Sequence, residues 1–238
     1  MKKVFLTVII PIMMFVVVGT TKQAIAQKAE IEKRLTELGI ETDMAFNNLS
    51  ENSTDYSCKA TMTETTSEKT TVETASFNPL NAQGSRWTLN TVNGESPSKK
   101  DIKKFNKAHN AKQDNLKAEP DENSMKIVNE DDHMFVIGLK YNEADLPHKY
   151  KFLGQCNAEI YVDKEAKRLY KVKFYNTTPL KIKGINVVKL DMTIELMLAD
   201  DGKAVLIKDE TIIMDVKLLG QMIEITEETE FYDYEKVK

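Results

Sequence analysis

From residue 186 to residue 198 the side chains alternate in character: Leu190, Met192, Ile194, Leu196 and Leu198 stand between Lys189, Asp191, Thr193 and Glu195. A helix would scatter these apolar residues around its circumference, whereas a strand puts them all on one face. Tyr170, Val172 and Phe174 alternate with Lys171 and Lys173 in the same way. The pattern predicts strands near 124–129, 133–140, 150–162, 168–176, 186–198, 204–218 and 221–234. Asp200 to Lys203 and Asp163 to Lys167 read as hairpin connections, and Gly220 as a tight turn.

The first half of the chain adds three strands and two helices. YSCKATMTETT and TTVETASF, residues 56–66 and 70–77, are rich in threonine and form a hairpin across Ser67 to Lys69. RWTLNTV, residues 86–92, is a third strand, closed by an Asn93-Gly94 turn. Residues 28–38 form a helix with Ile31, Leu35 and Leu38 on one side and Gly39 as its stop. Asp43 to Leu49 is short and helical or irregular. After Pro97, Ser98 caps a second helix from Lys99, on which Ile102 and Phe105 share a face and Lys99, Lys100, Lys103, Lys104 and Lys107 take much of the rest. Residues 110–123 are polar and read as a surface loop.

Consecutive strands joined by short turns make an antiparallel sheet with one apolar face, which must be covered. The expected fold class is therefore mainly β with a few helices (α+β): a curved antiparallel sheet, or half-barrel, whose concave face the two helices cover.

Residues 1–26 differ from the rest. Lys2 and Lys3 precede an apolar stretch from Val4 to Gly19, and Ala24-Ile25-Ala26 has the small-residue pattern of a cleavage site. The expectation is a secretory signal peptide over 1–26 without a lipobox, a single domain over 27–238, and a periplasmic or secreted product with no transmembrane segment after cleavage. Losing Lys2, Lys3 and Lys22 takes the formal net charge from -4 to -7, a poor balance for nucleic acid, whose phosphates demand cations.

Cys58 and Cys156 fall on the apolar phase of their runs, so a disulfide and two buried thiols both remain open. No metal site is expected, since His109, His133 and His148 are scattered, and Glu130 to His133 reads as an acidic turn. There is no Gly-x-Ser-x-Gly elbow and no glycine-rich phosphate loop, so no enzyme and no cofactor is expected. The lysine face of 99–107 reads as solvated, with anionic headgroups or an acidic partner as the other reading. Met125, Met134, Met192, Met197, Met214 and Met222 suit core packing or an adaptable lipid cavity.

The order helix, hairpin, strand, helix, long series of strands resembles the LolA and LolB type lipoprotein carriers over most of residues 28–234. More locally, FNPLNAQGSRWTLNTVNGESPSKKDIKKF and GQMIEITEETEFYDYEKV resemble segments of uncharacterised exported bacterial proteins. The resemblance implies eleven curved strands, helices across the concave side and an apolar cavity that accepts acyl chains; it transfers no individual residue. The expected function is binding of a lipid, lipoprotein acyl chain or other hydrophobic ligand, with Trp87, Leu89, Phe105, Met192, Ile194 and Leu196 lining the cavity. An envelope protein-interaction or sensor module, holding a protein partner and no small molecule, is the alternative.

Overall fold

Helix α1, residues 26–37, follows from its spacing: Ile31 and Leu35 stand four apart and are fully buried, while Lys33 and Glu37 pair on the outside at 3.8 Å. Gly39, at φ 74°, ends it. The Ile40 amide donates to the Leu35 carbonyl and the Gly39 amide to Thr36, which satisfies two carbonyls the helix would otherwise leave open. This computed structural model describes residues 26–42, 55–110 and 120–237, apart from single positions 147, 183, 201, 203 and 219. Nearly all of the expected signal peptide, the Asp43–Leu49 piece and most of the 110–123 loop lie outside the described residues.

Eleven strands form one antiparallel sheet: β1 (Tyr56–Thr66), β2 (Thr70–Phe77), β3 (Trp87–Val92), β4 (Lys126–Glu130), β5 (Met134–Leu139), β6 (Asn157–Asp163), β7 (Arg168–Tyr175), β8 (Leu180–Ile182), β9 (Ile185–Leu198), β10 (Val205–Leu218) and β11 (Gln221–Lys236). Across the sheet the order is β3-β2-β1-β11-β10-β9-β7-β6-β5-β4, with β8 paired to β9. The sheet is curved and does not close, since β3 and β4 remain its two edges. The initial hairpin is thus joined to the last strand, β1 pairing with β11 from Tyr56↔Lys236 to Thr66↔Ile225.

Helix α2 (Lys99–His109) is set by a reciprocal cap. The Asp101 amide donates to Ser98 Oγ at 3.3 Å while the Ser98 amide donates to the Asp101 carboxylate at 3.0 Å. Asn93 and Gly94, both at positive φ, make the turn that leads from β3 toward it.

Two expectations need correction. Residues 148–155 form a 3-10 run before β6 begins, where the alternation predicted strand from 150. The run buries Leu153 and leads into the buried Cys156, three residues on, whose amide donates to the Leu153 carbonyl, a spacing that a period-two count misreads. The short strand β8 was not foreseen, being only three residues long after Pro179.

Cys58 and Cys156 are free, buried thiols, so the structure holds no bridge between them. Cys58 lies on β1 and Cys156 beside β6, with β11, β10, β9 and β7 between in the sheet. Burial pushes both thiols up to about 11, which keeps them protonated and unreactive at neutral pH. Thiol titration of the unfolded, unreduced protein is expected to find both cysteines free and titration of the folded protein to find almost none; an unfolded chain without thiols would establish a bridge.

Candidate functional site

Directly opposed residues in an antiparallel pair point to the same side, so the register assigns each strand's faces. On one side Met192 of β9 is opposite Ile212 of β10, which is opposite Glu227 of β11, which in turn is opposite Glu64 of β1. Both helices pack on this same side. Under α1, Ile31 and Leu35 meet Phe135 and Ile137 of β5, Ile160 of β6, Val172 of β7 and Leu196 of β9. Under α2, Phe105 meets Ala75 of β2 and Leu89 of β3, with Met62, Trp87 and Val92 beside them. This is the concave face, and the opposite face carries polar pairs such as Lys173 with Asp191 at 2.9 Å.

The structure divides the six expected cavity residues between these two clusters. Trp87, Leu89 and Phe105 belong to the one under α2; Met192, Ile194 and Leu196 belong to the one under α1. Trp87 is half-buried, its ring 5.1 Å from Phe77 and 6.4 Å from Phe231. Asn110 fastens the end of α2 to β3: its side-chain amide donates to the Trp87 carbonyl at 2.8 Å and its oxygen accepts from the Trp87 amide at 2.9 Å. The exposed lysines of α2 include Lys104, whose charge is felt by Glu73 and Glu227 on the sheet below. The six methionines share no single environment, Met125 being buried and Met222 exposed.

Between the two clusters the concave face is half-buried, a strip we term the trough. Its apolar part is made by Ile212 and Met214 of β10 with Ile223 and Ile225 of β11, which pack on one flank against the buried Cys156, Leu180, Val187, Leu190 and Val216. Beside it, four glutamates cross four neighbouring strands: Glu210, Glu227, Glu64 and Glu73, on β10, β11, β1 and β2. Glu227 is opposite Glu64, and the other two neighbours are diagonal, since Glu210 is opposite Thr229 and Glu73 opposite Met62. Burial holds the carboxyls of Glu73, Glu210 and Glu227 above their ordinary value. The charge of Glu227 adds to this at Glu210, and that of Glu64 at Glu227, while Lys104 opposes it at Glu73 and Glu227.

The sequence reading missed these glutamates although their signal was present. Each falls on the apolar phase of its strand, as Glu64 does after Cys58, Ala60 and Met62, and Glu227 after Ile223 and Ile225. An acid in phase with the buried face of four strands points to a surface that is not ordinary core.

A separate pocket of about 460 Å³ opens at one end of the sheet, lined among others by Tyr56, Met197, Leu206, Tyr232 and Tyr234. None of the six expected cavity residues lines it. Two of its polar groups are already engaged: the Tyr234 hydroxyl donates to the Ile207 carbonyl at 2.7 Å, and the Lys236 ammonium lies 5.8 Å from the centre of the Tyr56 ring. The trough, lying on the concave face between strands that carry the two helix-covered clusters, is the better candidate.

Among the described residues no helix is long and apolar enough to cross a membrane, and no cluster of three or more His, Cys, Asp or Glu side chains is arranged to hold a metal. No protein-family model matches the chain, and no curated protein matches it significantly. Among solved structures it is similar to a LolA superfamily protein from Nitrosomonas europaea, with 12% identity and a TM-score of 0.31, over 80% of this chain and 92% of that one. It is also similar to a DUF1329 family protein from Desulfovibrio piger, with 9% identity and a TM-score of 0.33, over 88% of this chain and 91% of that one. Both are distant likenesses in fold.

Proposed function

We propose that this chain is an exported binding protein that holds a lipid, a lipoprotein acyl chain or another hydrophobic ligand in the concave trough. The supporting observation is the half-buried apolar floor of Ile212, Met214, Ile223 and Ile225 between the clusters under α1 and α2. An acyl chain laid there would complete the burial of these side chains, a gain of roughly 25 cal/mol for each Å² removed from water. In this reading residues 1–26 are the signal peptide, residues 27–238 form one half-barrel domain, and the periplasm is the working compartment.

Native mass spectrometry of protein exported and purified without detergent tests it. An adduct in the mass range of an acyl-bearing lipid, lost on delipidation and regained when lipid is added, is the expected result. A clean mass with no uptake of added lipid would sink the reading.

A second reading has its own support. Ile185, Leu218 and Met222, at the β8–β9 and β10–β11 turns, are 45%, 50% and 55% exposed. Such a rim suits contact with an envelope protein, and a failed lipid uptake would direct the search there.

A further inference from the structure

The glutamate row lies where a carrier's apolar floor would be expected to continue. Four glutamates cross neighbouring strands on one face, the Cβ atom of each within about 5 to 8 Å of the next by the geometry of sheet pairing. The row borders the isoleucine floor directly, Glu227 being opposite Ile212 and two residues from Ile225. From α2 above, Lys104 and Asp101 contribute opposite charges at Glu73, and Lys104 acts on Glu227 as well. Among the described residues, these are the charged groups of β1, β2, β10, β11 and α2 whose charge acts on the row.

We propose, resting on the binding reading above, that the trough takes up protons together with its apolar ligand, so that its hold on the ligand tightens as the pH falls. An apolar chain along the floor displaces water from half-buried carboxylates at its edge. Ionised carboxylates lose more by this than neutral carboxyls do, so the complex favours protonation more than the empty protein. A carboxylate of the row that is protonated takes its proton from solvent and becomes a neutral hydroxyl donor, with Thr229 and Thr71 as neighbouring oxygens on the same face, and the row as a whole gains up to about one proton on binding. Linkage then requires affinity to rise wherever the complex binds more protons. Burial already holds three of the four carboxyls toward their neutral form before any ligand arrives.

The test uses diphenylhexatriene, a neutral apolar fluorophore with no titrating group, bound to mature protein between roughly pH 8 and pH 5. Affinity is expected to increase about tenfold over that range, equivalent to net uptake of a fraction of a proton to one proton. The variant with Glu64→Gln, Glu73→Gln, Glu210→Gln and Glu227→Gln is expected to bind with little pH dependence and, at pH 8, as tightly as the unaltered protein does at pH 5. His109, stacked on Phe105 at 4.4 Å, is an ionisable neighbour outside the row, so pH dependence that survives in the variant would overturn the proposal. Calorimetry of the unaltered protein in buffers of different ionisation heat reads proton uptake without any substitution. Binding with neither pH dependence nor proton uptake overturns the inference alone. No uptake of the probe by either protein at any pH overturns the carrier reading, and the inference with it.

Discussion

Replacing Leu35 by alanine is expected to destabilise the protein by about 3 kcal/mol, within the range for truncating a fully buried leucine. Helix α1 is joined to the sheet by few fully buried side chains, Ile31 and Leu35 being the two on the helix with no exposure. Its polar links are half-exposed: Arg34 reaches Glu30 at 3.0 Å and Glu130 at 2.6 Å, Lys164 reaches the same Glu130 at 3.2 Å, and Lys28 bonds Glu122. Pairs that water still reaches are worth about 1 kcal/mol, because water screens them and ordering long side chains costs entropy. Arg34→Ala should therefore cost far less than Leu35→Ala. Urea unfolding reads both, with the slope checked so that only midpoints are compared. Equal costs for the two substitutions would mean that apolar burial under α1 does not hold it on the concave face.

Strands and caps were legible because their causes are local. YSCKATMTETT and TTVETASF coincide with β1 and β2, since alternation over eight or more residues leaves little choice of period. Ser98 and Asp101 announce the start of α2 three residues apart, and Gly39 the end of α1. The lateral order of the strands was not legible. Neighbouring strands in sequence suggest a meander, yet β1 pairs with β11 across most of the chain, a choice made by the whole sheet.

That hidden order decides what the candidate site contains. Alternation puts Ile194 on the apolar phase of its strand and the RWTLNTV run puts Leu89 in another, but nothing local says that β2, β1, β11 and β10 separate the two. The six cavity candidates therefore fell into two clusters. The same pairing is what lines up Glu210, Glu227, Glu64 and Glu73, residues up to 163 positions apart in the chain. Their phase was readable in each strand, whereas their adjacency appears only once β1 and β11 are paired.

The row also sets an expectation for stability that needs no ligand. In the folded protein Glu73, Glu210 and Glu227 hold their protons more tightly than in the unfolded chain, whose carboxyls sit near the ordinary 4.5. Such groups favour the folded state fully only below that ordinary value, and their contribution is lost as the pH rises through the folded values. Acidification from neutrality should therefore first stabilise the protein. Asp101 and Asp131 act in the opposite sense, each held below its ordinary 3.8, Asp101 by its bonds with Ser98 and Asp131 by the amides of His133 and Met134. Their contribution is present above that value and disappears as the pH falls through the folded values, so it is lost only in stronger acid. The two groups together place maximum stability near the ordinary carboxylate values, between 3.8 and 4.5, so stability should rise all the way from neutrality down to that point. Glu210→Gln with Glu227→Gln should raise stability at neutral pH by about 1 kcal/mol, the scale of relieving a poorly solvated polar group, and flatten the rise on the acid side. Urea midpoints measured across this range for both proteins read the effect directly. A steady decline of the unaltered protein from neutrality downward, matched by the double variant, would show that these carboxylates are as well solvated in the fold as in the unfolded chain.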